Sequence, residues 1–358
     1  MYTRILVPLD GSPRAEAALP VAARLAQTSG GTLVLTRIVN VNPELSPYFA
    51  MPVGSAPQLT YDIIDDAKAY LEHMRTHASV RGIPIETNVF LGMTAPALLE
   101  AITETKADMI VMCSHGRVGF ARWALGSVAQ HITRHSPVPV FVLREDKPLL
   151  PDAIAERGYP LRALVTLDGS KLAEAVLPHI TAVLTALAGQ NGSEMHLTSV
   201  VSPLDLEIAG ITQSAGVEAA QRYMDATVER LEADDATSHI RITSNVAVSR
   251  DIAGYLINIA EGDQGMSGAD ADTSNVETSA PSEPHGGYDV MAMATHGRTG
   301  FALWAVGSVT ERVLQSTRLP LFVVRPENIP AEAARPGETA IHETRELEEE
   351  INTWPGLL

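Results

Sequence analysis

RILVPLDGSPRAEAALP, at Arg4–Pro20, is the stretch on which the fold turns. Its opening, Arg4–Leu9, is a short run of Ile, Leu and Val, apolar on both faces as a buried parallel strand should be. Asp10-Gly11 breaks the run, Ser12 stands where a helix would be capped, and Pro13 suits a first helical position. A strand that passes directly into a helix is the opening of an α/β unit.

The stretch occurs twice. Arg162–Pro178, RALVTLDGSKLAEAVLP, matches it at 12 of 17 positions. Further along, Ser114–Arg144 (SHGRVGFARWALGSVAQHITRHSPVPVFVLR) matches Thr295–Arg325 (THGRTGFALWAVGSVTERVLQSTRLPLFVVR) at 15 of 31. The first pair is offset by 158 residues and the second by 181, so the second copy carries about 23 extra residues. The surplus falls in EGDQGMSGADADTSNVETSAPSEPHGG, which is polar, rich in Gly, Ser and Asp, and without apolar periodicity. It reads as a disordered acidic insertion at about 262–286.

In copy one the predicted strands are Arg4–Leu9, Thr32–Val39, Ile85–Leu91, Met109–Cys113 and Val138–Leu143. Between them lie predicted helices: one after Ser12, one marked by Leu59, Ile63, Ala67, Tyr70, Leu71 and Met74, one from Pro96, and one from Gly126-Ser127. Alternating strands and helices predict a doubly wound α/β sheet, built twice. The expected boundaries are a first domain at 1–146, a linker at 147–160, a second domain at 161–326 and an acidic tail at 327–358.

Composition sets limits. The chain has 358 residues, 45% hydrophobic and 19% charged, and one cysteine, Cys113, which excludes a disulfide framework and a multi-cysteine metal cluster. No apolar run approaches the ~18–20 residues of a membrane span, and MYTRILVPLD does not read as a signal peptide, so a soluble, cytoplasmic protein is expected. Of the net charge of −17, the acidic insertion and the tail carry −11. The remainder is mildly acidic, and no basic footprint of a nucleic-acid binder is present.

Sheets of this kind take ligands beyond the carboxyl ends of their strands, where the strand order reverses. Two loops compete for that place in each copy. One follows the first strand, with Asp10 or Asp168; the other follows the fourth, as His115-Gly116-Arg117-x-Gly119 and His296-Gly297-Arg298-x-Gly300. Nine residues then separate Gly116 from Gly126-Ser127, and nine separate Gly297 from Gly307-Ser308. Glycines let the backbone approach an anion, and a Gly-Ser at a helix start offers unpaired amides and the positive end of the helix dipole. Arg117 and Arg298 add charge, Asp10 and Asp168 suit ribose hydroxyls, and the strand edges near Ile38 and Val200 suit an adenine ring. Together they read as a nucleotide pocket. The plain alternative is a pair of inherited tight turns.

The motifs V-P-L-D-G-S and S-H-G-R-x-G-x6-G-S, followed by V-P-V-F-V-L, resemble those of the universal stress protein family, over residues 3–145 and again over 161–326. The resemblance implies five-stranded parallel sheets in order 3-2-1-4-5. It implies that the two copies pair within one chain as a pseudo-dimer, Val138–Leu143 against Leu319–Val324, with a further homodimer left open. It also implies ATP, with or without magnesium, bound through a G-x2-G-x9-G-[ST] signature. Cys113 and Ala294 stand where that signature has its first glycine; were positive φ required there, a side chain would cost about 1 kcal/mol or more.

The leading expectation is a nucleotide-binding stress-response switch, and the alternative an interaction protein with degenerate pockets. A hydrolase is disfavoured. Ser114 and His115 are adjacent at a strand end and point apart, no G-x-S-x-G or G-x4-G-K-[ST] motif is present, and no general base stands out for slow ATP hydrolysis. His131 and His135 lie one turn apart, but copy two has Arg312 and Ser316 there and no carboxylate completes a metal set. Trp123 and Trp304 are expected over the sheet end. Ile341, Leu347, Ile351 and Trp354 space out as one helical stripe in the tail.

Overall fold

The computed structural model describes residues 1–40, 56–114, 125–144, 149–262, 287–295 and 307–326, with backbone alone for 56–60. The first half runs β1 (Arg4–Pro8), α1 (Pro13–Glu16), α2 (Leu19–Ser29), β2 (Thr32–Val39), α3 (Ala56–Arg75), β3 (Ile85–Leu91), α4 (Thr94–Thr105), β4 (Met109–Cys113), α5 (Ser127–His135) and β5 (Val140–Leu143). α6 (Pro151–Glu156) follows within the expected linker, with Ile154 buried. The second half runs β6 (Leu161–Thr166), α7 (Lys171–Glu174), α8 (Val176–Leu187), β7 (Ser193–Val201), α9 (Pro203–Ala209), α10 (Gln213–Glu232), β8 (Ile240–Val248), α11 (Ile252–Glu261), β9 (Val290–Ala294), α12 (Ser308–Ser316) and β10 (Leu321–Val324).

Three predicted strands of copy one coincide with β2, β3 and β4. The last begins at Val140 rather than Val138, because Pro139 has no N–H to give a ladder. The helix predicted from Pro96 starts two residues earlier, at Thr94. In α3, Ala67, Leu71 and Met74 are buried as their spacing requires, whereas Ile63 is exposed and Leu59 is described by its backbone only. The insertion beyond Gly262 and the tail, with its Ile341–Trp354 stripe, lie outside the described residues.

All ten strands form one sheet, in order β3-β2-β1-β4-β5-β10-β9-β6-β7-β8. Each half keeps the order 3-2-1-4-5 with parallel neighbours, and β5 meets β10 antiparallel, with Phe141 opposite Phe322. The two rings are fully buried and meet edge to face, 5.7 Å between centroids. The sheet has two packed faces. On one, α2 and α3 of the first half and α8 of the second share a single apolar core that runs under both halves. On the other lie α4, α5, α11 and α12.

Polar contacts reinforce the junction. Arg24 Nε donates to the Ala186 carbonyl (3.1 Å), and Tyr2 Oη lies 2.8 Å from His179 Nδ1. On the opposite face Gln130 Nε2 donates to Glu311 Oε1 (3.1 Å), Arg134 pairs with the same carboxylate, and Arg144 Nη2 donates to the Leu314 carbonyl (2.7 Å). Burial lowers the Arg144 guanidinium to about 10. None of the described helices is long and apolar enough to cross a membrane.

Candidate functional site

The two packed faces locate the site. From β1 the chain leaves toward the α2 face, and from β4 it leaves toward the α4–α5 face. β1 and β4 are neighbours, so their carboxyl ends mark the switch point of the sheet, the place where doubly wound folds form a ligand crevice. β6 and β9 repeat this in the second half.

One lip of each crevice is the turn after the first strand. Asp10 Oδ1 accepts from Ser12 N (2.9 Å) and Ser12 Oγ (2.6 Å), and Asp168 Oδ1 accepts from Ser170 N (3.0 Å) and Ser170 Oγ (2.6 Å). Each serine hydroxyl also accepts from the third residue onward, Ala15 or Ala173, capping α1 or α7. Gly11 and Gly169 sit at φ +82 and +86, a conformation that disfavours a side chain. The two carboxylates are therefore held in one geometry by their own turns.

The other lip is the start of α5 or α12. Gly126 N donates to the Ser114 carbonyl and Gly307 N to the Thr295 carbonyl, both at 2.8 Å, which closes each long loop at its base. Both glycines are extended (φ −61 and −58), a conformation open to any residue, and neither helix has a side-chain cap. Conformation does not demand glycine here, and a Cβ on Gly307 would meet the Thr295 carbonyl oxygen at an ordinary 3.4 Å. In the second half Thr310 Oγ1 donates to the Ala294 carbonyl (3.0 Å), tying α12 to the end of β9.

The family model described as "Universal stress protein family" matches residues 1–144 and 285–325. The chain belongs to the universal stress protein family. A universal stress protein of Mycobacterium tuberculosis H37Rv is 24% identical over 341 residues, covering 90% of this chain and 96% of its own length. One from Methanocaldococcus jannaschii is 28% identical over 148 residues, 41% of this chain and 85% of the relative. Among solved structures, a universal stress protein from Archaeoglobus fulgidus aligns over 90% of this chain and 98% of its own, with a TM-score of 0.59 and 17% identity. A second, described as a putative universal stress protein from Pseudomonas aeruginosa, aligns over 93% and 96%, with a TM-score of 0.54 and 15% identity. Membership supports a stress-response role.

In this universal stress protein the crevices gather Asp10, Ile38, Cys113, Gly126 and Ser127 in one half, and Asp168, Val200, Ala294, Gly307 and Ser308 in the other, at the carboxyl ends of adjacent strands or at the helix starts beyond them. His115, Gly116, Arg117, Gly119, His296, Gly297, Arg298 and Gly300 lie outside the described residues, as do Trp123 and Trp304. Cys113 and Ala294 end strands β4 and β9, and among the described residues Lys106 is the one non-glycine at positive φ. The strain considered for these positions therefore does not arise. His131 and His135 stack at 4.2 Å, His135 Nδ1 lies 2.8 Å from the His131 carbonyl, and no described cluster of three His, Cys, Asp or Glu exists.

Sequence reasoning passed over three residues. Thr36 and Thr198 occupy the same place in β2 and β7, opposite Pro8 and Thr166, and each hydroxyl is buried without a hydrogen-bond partner. Their recurrence in T-R-I-V and T-S-V-V was a readable signal. The third is Arg37, whose guanidinium lies 4.8 Å from the Tyr70 ring centroid. Burial, and then the bond from Tyr70 Oη to Glu16 Oε1 (2.9 Å), push that phenol far above its ordinary value.

Proposed function

We propose that this protein is a nucleotide-binding stress-response switch, with ATP held in the crevice of each half. The observation that carries the reading is the pair of uncapped helix starts at Gly126 and Gly307, each across a crevice from a fixed carboxylate. The first amides of α5 and α12 suit the phosphates, and the helix dipole favours their charge. Asp10 and Asp168 suit the ribose hydroxyls, because a carboxylate accepts hydrogen bonds from vicinal hydroxyls. The apolar edges at Ile38 and Val200 suit the base. Magnesium, where present, would be held by the phosphates.

Nothing in this arrangement asks for fast chemistry. The reading is of a switch rather than a fast catalyst. Calorimetry of the full chain with ATP tests it, using Gly126→Val and Gly307→Val to place a side chain at each helix start. At φ near −60 valine is tolerated, so melting temperatures should hold while binding is lost, one site per substitution. Absence of saturable binding to the unaltered protein at millimolar ATP would refute the proposal.

A further inference from the structure

β3 is an edge of the sheet, with β2 on one side and no strand of the sheet on the other. Hydrogen bonds at its two ends fix which way its backbone points. Leu33 N donates to the Pro84 carbonyl (2.9 Å), and Gly92 N donates to the Val39 carbonyl (3.0 Å). With Leu33 in register with Ile85 and Val39 with Leu91, the even-numbered residues of β3 spend their N–H and C=O groups on β2. Ile85, Thr87, Val89 and Leu91 therefore turn theirs outward, and among the described residues these groups meet no strand.

The same residues border a groove under α3. Thr87, Val89 and Leu91 on the strand, with Ile64, Lys68 and Leu71 on one face of the helix, line a cavity of about 470 Å³. Leu71 is fully buried at its floor, and Leu91 is 47% exposed. The far edge of the sheet, β8, lacks such an opening. Ser249 N donates to the Val201 carbonyl (3.1 Å), so by the same phase Ile240, Ile242 and Val246 have their backbones outward. All three are buried with Met224 and Leu231 of α10 in the apolar core, whereas no residue of β3 is buried. The open groove is thus a property of the first half and not of the duplicated fold.

An uncovered edge strand invites another strand, and natural sheets blunt it with proline, a bulge or free charge. β3 has no proline, and its one charge, Glu86, is taken up by Arg4 at 2.5 Å. The rim of the groove is acidic. α3 carries Asp62, Asp65, Asp66 and Glu72 against Lys68 and Arg75, and its own acids already engage both cations, Lys68 with Asp65 at 3.4 Å and Arg75 with Glu72 at 3.2 Å. Two copies meeting β3 to β3 would bring two such acidic rows together, so charge favours a basic partner over a second copy.

We propose that the groove between β3 and α3 binds an extended, basic peptide segment as an added strand, with alternate apolar side chains in the cavity and lysine or arginine along the rim. The outward backbone groups supply affinity and the cavity supplies selectivity.

Fluorescence anisotropy tests this on the full chain, with a labelled peptide that alternates lysine with valine. Saturable binding is expected. It should weaken by about tenfold when glutamate replaces lysine, and vanish when the peptide's backbone amides are methylated. Thr87→Pro removes an outward N–H at an edge, where proline is accommodated, and should weaken binding by about tenfold with the melting temperature held. Thr87→Val keeps that N–H, loses only the hydroxyl bond to Glu72, and should bind as the unaltered protein does. Asp65→Lys combined with Asp66→Lys should reverse the charge preference. Three results would overturn the proposal: no saturable binding at millimolar peptide, binding indifferent to Thr87→Pro and to methylation, or a sedimenting dimer that Thr87→Pro dissolves, which gives the edge to a second copy. The nucleotide reading is independent of all three.

Discussion

Removing the Phe141 ring should weaken the whole molecule, not one half of it. Phe141 and Phe322 face each other across the β5–β10 pairing, both fully buried, and each belongs to the apolar core that also holds α2 and α8. Truncating a buried phenylalanine to alanine costs about 3–5 kcal/mol through lost transfer energy and the cavity left behind. Of this, about 0.5–1.5 kcal/mol is the edge-to-face contact, which can be lost only once. Phe141→Ala and Phe322→Ala should therefore each lower stability by about 3–5 kcal/mol, and the double variant should fall short of their sum by about 1 kcal/mol. Urea unfolding followed by circular dichroism measures the free energies, and scanning calorimetry counts the transitions. A single transition that shifts as a unit is expected. Two transitions, one of them untouched by Phe141→Ala, would refute the view that one core joins the halves.

Gly11→Ala should destabilise more than Gly169→Ala: both meet about 1–2 kcal/mol of left-handed strain, but only the first also displaces Arg37. Denaturant midpoints of the two variants check this. Ser12→Ala and Ser170→Ala each remove a helix cap and a turn bond and should cost about 1 kcal/mol, read from the same curves. Burial lowers the His196 imidazole from its ordinary value near 6.5, against the opposing bond at Asn245. Below that value the unfolded chain binds a proton that the folded one refuses, so this contribution to stability is complete above pH 6.5 and is lost on acidification. His196→Gln should flatten the dependence of the urea midpoint between pH 7.5 and 5.5; an unchanged slope would contradict the assignment.

Much of this was legible in the residues because it was written twice. The repeat of V-x-L-D-G-S fixed both the strand-to-helix step and the twin Asp–Ser turns, since one tight turn and one cap suffice to dictate them. The doubly wound α/β class followed from alternation and strand chemistry, and the order 3-2-1-4-5 and the meeting of β5 with β10 from the family resemblance; the antiparallel direction of that meeting came from the structure. What escaped was long-range. Arg37 sits in an apolar strand, and nothing local says that its charge ends beside Gly11 and over Tyr70, which is 33 positions away. Likewise positive φ was weighed for Cys113 and Ala294, whereas both end ordinary strands and carry no such strain.

The most direct measurement is a crystal structure of the full chain grown with ATP. The account expects a triphosphate at the first amides of α5, within hydrogen-bond reach of Ser127 N, its sugar against the Asp10 carboxylate and its base by Ile38. A crevice filled instead by the chain's own side chains, with ATP excluded from both halves, would contradict it.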